Sequence, residues 1–171
     1  MKDLLILQIK NNGISPDVFE TLSASEKDSL ELINGKYFLQ SEYRKKLRVV
    51  ITGGVFDILH AGHLFTLQEA KKYGDILVVA IARDEMILRK KRKPVHSQEY
   101  RAFMVESLKP VDIALLGKED PKELFEQVKP NVIVYGYDQK PFLAPEGVKV
   151  VQLSESFGGF KTNKIIKDLG L

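Results

Sequence analysis

The chain has 171 residues, enough for one ordinary domain with a small appendage, and its 44% apolar content suits a packed core rather than disorder. It contains no cysteine, which excludes disulfides, zinc thiolate sites and thiol catalysis, and no apolar run approaches the roughly 20 residues a membrane helix needs. The net charge is +3, and residues 1–47 balance seven Lys/Arg against seven Asp/Glu, so the excess lies wholly in residues 48–171.

Taken in order, residues 2–11 are a short apolar–polar stretch stopped by Asn11-Asn12-Gly13. They lack the basic start and long apolar run of a secretory signal, so a soluble, cytoplasmic protein is expected. Ser15-Pro16-Asp17 reads as the start of a second short helix, with Ser15 as cap and Pro16 in its first turn. Ser23-Ala24-Ser25-Glu26 fits a capping box and predicts a helix through about Ile33, ended by Asn34-Gly35. Lys36 to Gln40 reads as a short strand, and Glu42 to Lys46 is charged.

Three short helices and a wing-like strand suggest a degenerate helix-turn-helix. Nucleic-acid readers usually show a basic face, however, and this stretch is neutral. A helical cap or dimerisation arm is the better expectation for residues 1–46, a small, mostly helical module. The expected assembly is a homodimer without nucleic acid or membrane.

From Leu47 the rhythm changes to strands alternating with helices. Arg48 to His63 reads RVVITGGVFDILHAGH. Val49-Val50-Ile51-Thr52 has the β-branched, apolar composition of a buried parallel strand. Gly53 and Gly54 then allow a tight turn or a close approach to a ligand. His60 and His63 fall three apart at the start of a helical pattern, hence on one side of its first turn. Free N–H groups at a helix start attract anions, and imidazoles beside them add hydrogen bonds or charge. This stretch is therefore a candidate phosphate grip. A capping turn with two surface histidines is the plainer alternative.

The helix from Leu64 to Tyr73 closes at Gly74, and Ile76 to Ala82 is a continuous apolar run fit for a central strand. Ser97 can cap a helix running to Leu108. Val111 to Leu116 reads as a third strand, and Asp120-Pro121 starts another helix. Asn131 to Tyr135 and Val148 to Leu153 supply two more strands, and Thr162 to Leu169 a closing helix. Repeated βα units imply a parallel sheet covered by helices, with ligands at the carboxyl ends of its strands. Gly53, Arg83, Gly117 and Gly136 fall at such ends.

Four further clusters bear chemistry. Arg83-Asp84-Glu85 stands at the rim of the expected site. Arg89 to Lys93 is a run of five cations, with Lys90 and Arg92 candidate polyphosphate contacts on a closing loop. Gly136 permits a close approach, and Asp138 could hold a ribose hydroxyl or orient a base; an Asx turn is the alternative. Lys161 and Thr162 follow Gly158-Gly159 at a helix start, a second possible anion site set against a plain cap. His96, just before the cap Ser97, reads as a rim or structural residue.

The stretch GxFDxxHxGH, carried by Gly54, Phe56, Asp57, His60, Gly62 and His63, resembles the signature of the cytidylyltransferase-like nucleotidyltransferases. The resemblance covers about residues 48–168 and implies an α/β fold: a Rossmann-like five-stranded parallel sheet with helices on both faces. It implies that His60 and His63 serve the α-phosphate, and that Gly53, Gly54, Val55 and Phe56 border the nucleotide. Lys90, Arg92 and Arg101 would neutralise polyphosphate, since an arginine in a matching helix approaches the phosphates in that superfamily. A divalent cation, expected to be Mg²⁺, would bridge nucleotide oxygens, with Asp57 as the motif's carboxylate candidate or else a structural residue.

Two branches of the superfamily compete. The glycerol-3-phosphate cytidylyltransferases are similar at His96 to Arg101 and at Thr162 to Ile165, but their arginine is replaced here by Glu155-Ser156. The archaeal FAD synthases are similar at Ala82 to Glu85, Leu108 to Asp112 and Gly136 to Gln139, although their C-terminal cysteines are missing. The second branch is preferred, which implies ATP and FMN as substrates and FAD and pyrophosphate as products. Phe142, Phe157 and Phe160 are available for a flat apolar flavin pocket, or as core residues. CTP with glycerol 3-phosphate is the alternative. A non-catalytic, nucleotide-sensing DNA-binding regulator is the alternative of another class.

Overall fold

The computed structural model describes residues 1–89 and 93–155, which fall into two compact units, Met1–Arg48 and one beginning at Val49. In the first unit, α1 (Lys2–Asn11) stops where Asn12 turns left-handed at φ 50° and Gly13 follows at φ 102°. Lys36 Nζ donates to the Asn11 and Asn12 carbonyls exposed by that ending, at 3.0 Å each. Helix α2 (Pro16–Glu20) is capped by Ser15 as expected, its Oγ accepting from Val18 N–H. Helix α3 (Ala24–Lys27) opens on Ser23, whose N–H and Oγ both donate to the Glu26 carboxylate.

The helix expected to reach Ile33 stops at Lys27. Leu30–Ile33 is instead a strand, β1, paired antiparallel with β2 (Lys36–Leu39). The cause is the Asn34-Gly35 dipeptide, which takes φ 49° and φ 81°. Two consecutive left-handed residues make the tight hairpin turn whose twist matches paired strands. Leu30 then lies opposite Leu39, and both are buried. A short α4 (Ser41–Arg44) completes the unit.

The second unit is built on five strands: β3 (Val49–Gly54), β4 (Ile76–Ile81), β5 (Ile113–Leu116), β6 (Val132–Tyr135) and β7 (Lys149–Gln152). All neighbours run parallel in the order β5-β4-β3-β6-β7, so every strand expected from the sequence is present. The intervening helices are α5 (Ala61–Lys71), α6 (Asp84–Leu88), α7 (Gln98–Glu106) and α8 (Pro121–Val128). The expected closing helix at Thr162 to Leu169 lies outside the described residues.

Alternation along the strands sorts the two faces. Val50, Val79, Val132 and Val134 form one buried cluster with Leu67 and Ala70 of α5 and Val105 of α7. Ile51 and Ile133 point the other way, and Leu124 and Phe125 of α8 border the same cavity as they do. Asp112 pins the lower end of the sheet, accepting from Leu77 N–H at 2.7 Å and from Lys71 Nζ. Because β3 lies between β4 and β6, the chain leaves it toward one edge and later returns toward the other. A crevice opens at the carboxyl ends of strands around such a switch point.

Candidate active site

The β3–α5 turn is shaped by one residue that must be small and one that is strained. A Cβ on Gly54 would come within 2.8 Å of the Phe56 ring, so that ring closes over Gly54 only because glycine stands there. Phe56 takes φ 52°, the left-handed region that side chains other than glycine rarely adopt. Its ring is 3% exposed and lies 5.0 Å, centre to centre, from that of His63. Any nucleotide contact of Phe56 therefore runs through its backbone, since its side chain belongs to the core.

His60 is the N-terminal cap of α5, and His63 lies in the first turn. Their rings stack 3.9 Å apart. Among the described residues, both Nδ1 atoms are buried without a hydrogen-bond partner, as is Thr52 Oγ1 near the end of β3. Burial lowers the pKa of both histidines, that of His63 to about 4 with His60 adding to the effect, while Asp138 acts in the opposite direction. Both imidazoles are thus neutral near pH 7. A neutral imidazole offers one donor and one acceptor, so the pair can donate hydrogen bonds to an anion without carrying charge into the unliganded site.

Three other sequence candidates, Arg101, Asp57 and His96, are held within the fold. Arg101 is 0% exposed. Its guanidinium donates to Val55 O at 2.6 Å and His96 O at 3.1 Å, and pairs with the Asp84 carboxylate at 2.5 Å. A buried guanidinium held on three sides braces the turn. Asp57 is also 0% exposed, and its Oδ1 accepts from Val95 N–H and His96 N–H at 2.9 and 3.0 Å. These bonds suit the structural role that its reading allowed, and the described residues contain no group of three or more His, Cys, Asp or Glu placed to hold a cation. His96 fits its structural reading, its Nδ1 donating to Asp57 O at 2.8 Å.

At the end of β6, Gly136 N–H donates to Gln139 Oε1, whose amide Nε2 donates to Gly53 O at 2.8 Å. Gln152 Nε2 in turn donates to Gly136 O and Gln139 O. These two glutamines tie the β6 loop to the glycine turn, and sequence reading passed over both. Asp138 is exposed and near enough to the histidine pair to act on its titration. Arg83 is paired with Glu85 on the surface. Lys90, Arg92, Lys161, Thr162, Phe157 and Phe160 lie outside the described residues.

A cavity of about 510 Å³ opens at the carboxyl ends of β3, β4 and β6 and reaches Gly53, Gly54 and Val55. Its lining is mostly apolar and includes Asp138 and Phe142 from the sequence candidates. Met86, Lys118 and Phe125 also border it, and nothing in their local sequence singled them out.

Residues 51–167 match the family described as Cytidylyltransferase-like. The chain belongs to this family. It is 57% identical over 95 residues to the FAD synthase of Aciduliprofundum boonei, a match covering 55% of this chain and 63% of that protein. It is 38% identical over 136 residues to the bifunctional protein HldE of Helicobacter pylori, covering 77% of this chain but 29% of that protein. The solved structure of the lipopolysaccharide core biosynthesis protein from Thermoplasma volcanium GSS1 superposes with a TM-score of 0.58 at 38% identity. That overlap takes in 64% of this chain and 98% of the other. The histidine pair, the glycine turn and the cavity of this cytidylyltransferase-like chain all lie within the span of the family match.

Proposed function

We propose that this protein transfers AMP from ATP to FMN, giving FAD and pyrophosphate. The observation that carries the choice of substrates is the 57% identity to a protein named FAD synthase. A mostly apolar cavity beside the histidine pair supports it. A phosphate oxygen of FMN attacks the α-phosphorus of ATP; the new P–O bond forms as the bond to the β-phosphate oxygen breaks, and the electron pair leaves with pyrophosphate. The attacking phosphate is largely dianionic above its second pKa of about 6, so no general base is required.

Catalysis then rests on positioning and on stabilising charge at the transferring group. His60 and His63 donate hydrogen bonds at the α-phosphate, beside the free N–H groups of the first turn of α5. Gly53 and Gly54 let the nucleotide approach the backbone closely. Lys90, Arg92, Lys161 and Thr162 keep the polyphosphate-binding roles their sequence suggests. A divalent cation, proposed to be Mg²⁺, would supply positive charge to the nucleotide polyphosphate. A cytoplasmic location and a homodimer complete the reading.

The second reading, cytidylyl transfer from CTP to glycerol 3-phosphate, draws on the family membership and the HldE similarity. Pyrophosphate release should be measured for ATP and CTP, each with FMN, glycerol 3-phosphate or phosphopantetheine, in Mg²⁺. Turnover of ATP with FMN above all other pairs is expected. Turnover of CTP with glycerol 3-phosphate alone would replace the acceptor and base while keeping the transferase. DNA binding with no pyrophosphate release from any pair would favour the regulator.

A further inference from the structure

Across the sheet, the row at the level of Thr52 reads Val79, Thr52, Val134, since Thr52 is paired with both valines. Both valines belong to the buried cluster behind the sheet, and Thr52 itself is 2% exposed. Valine has the shape of threonine without its hydroxyl, so a third valine would fill this place equally well. Among the described residues, Thr52 Oγ1 is buried with no hydrogen-bond partner, and a buried hydroxyl left so costs stability. Packing does not account for it; a partner engaged during the reaction does.

The periodicities of helix and strand show which partner that is. Leu67 and Ala70 of α5 pack in the cluster with Val50. His63 extends their stripe by one helical turn, four residues before Leu67, and His60 extends it again. Thr52 extends the same face of β3 two residues beyond Val50. The helix of a βα unit runs back against its strand, so both steps lead to the same end of the sheet. Two strand residues advance about 6.6 Å and four helical residues about 6 Å. Thr52 therefore stands to His63 as Val50 stands to Leu67.

The nitrogen that His63 turns inward is Nδ1, the atom of its ring that is buried without a partner. Near pH 7 the ring is neutral, with one nitrogen that donates and one that accepts. Whatever engages the inner nitrogen thus decides what the outer one offers. Thr52 Oγ1 and His63 Nδ1 are not hydrogen-bonded to each other in this structure; bonds that serve catalysis are often long until substrate is bound. Resting on the reading of the histidines as donors to the transferred group, and not on the acceptor's identity, we propose that Thr52 is the positioning residue of His63. Its hydroxyl donates to Nδ1, so that the proton of the neutral ring sits on Nε2 and is offered to the phosphate. The His60 ring stacks on that of His63 at 3.9 Å, so the same bond steadies the pair.

The test uses the full chain and the fastest nucleotide–acceptor pair of those named above. Thr52→Val keeps the shape and loses the hydroxyl, whereas Thr52→Ser keeps the hydroxyl. Thr52→Val should melt at or above the temperature of the wild type. Its kcat should fall about tenfold, the worth of one neutral hydrogen bond, with KM for the nucleotide within about twofold. Thr52→Ser should recover most of that kcat. With nucleotide bound and isotope-labelled histidine, the Nδ1 resonance of His63 should move in Thr52→Val and return in Thr52→Ser. Undiminished kcat in Thr52→Val overturns the proposal, as does a Thr52→Ser protein no faster than Thr52→Val. A lowered melting temperature with an unmoved Nδ1 resonance would make Thr52 a packing residue and overturn it as well. His63→Ala separates this inference from the reading beneath it. If His63→Ala is slow and Thr52→Val is not, only the role of Thr52 fails. If His63→Ala turns over normally, the reading of the histidines has failed and takes Thr52 with it.

Discussion

His63 gathers the physical tensions of the site into one side chain. The ring lies beside His60 at the start of α5, and burial holds its pKa at about 4, below the ordinary value of 6.5. Between those values the unfolded chain binds the proton that the folded chain resists. The neutral ring's contribution to stability is therefore complete above about pH 6.5 and is lost as pH falls through 4. His63→Ala should fold, should lose part of this acid sensitivity, and should turn over about 10²–10³-fold more slowly, the cost typical of one lost donor to developing charge. Thermal melting at pH 7.5 and 5.0, with pyrophosphate release at pH 7.5, checks both halves. A folded variant with near-normal turnover would remove His63 from the chemistry.

Among elements, α6 and α7 depend on a small set of buried polar contacts. Asp84 opens α6 and Ser97 caps α7; Asp84 N–H donates to Gln98 Oε1, and Gln98 N–H donates to Asp84 Oδ2. Arg101 joins both starts to the glycine turn through Asp84 and Val55 O. The network thus ties the first turns of the two helices to each other. Removing one partner of a buried ion pair costs about 3–5 kcal/mol, because the other is left uncompensated. Asp84 retains 28% side-chain exposure, so Arg101→Met should fall toward the lower end, about 3 kcal/mol. Arg101→Lys should rescue little of the loss, since an ammonium cannot reproduce the planar fork that reaches three oxygens. Denaturant unfolding of the three proteins measures this. An Arg101→Met protein of normal stability whose KM for ATP alone is raised would return Arg101 to the phosphates.

At the scale of the molecule, the second unit has a core of its own: among the described residues, the cluster behind the sheet runs from Val50 to Leu153. β3 enters that sheet through Val49, whose N–H donates to Asn131 Oδ1 and whose carbonyl accepts from Asn131 N–H. Every candidate for catalysis lies after Leu47. Removal of residues 1–46 should consequently leave a folded protein with measurable transferase activity. Circular dichroism and pyrophosphate release on the truncated chain check this. A folded but inactive product would mean that the first unit helps to build the site.

The sequence alone determined what local pattern can encode. Continuous β-branched and apolar runs specified the buried parallel strands β3, β4 and β6, because a strand covered on both faces needs apolar residues at nearly every position. Ser15, Ser97 and Asp120 marked helix starts, since an N-cap side chain bonds to N–H groups only two or three residues away. The HxGH spacing likewise gave the histidine pair. Tertiary structure decided whatever depended on partners distant in the chain. Ser23 to Ile33 carries a valid helix start, yet pairing of Leu30 with Leu39 across Asn34-Gly35 outweighs its continuation. The family resemblance suggested a phosphate contact for Arg101 and left Asp57 between a cation and a structural role. Their placement in the fold follows from Val95 and His96, 38 and 39 residues away from Asp57, and from Val55, 46 residues away from Arg101. A buried charge persists where the fold brings it enough hydrogen-bonding partners, and local composition does not record where in the chain those partners lie.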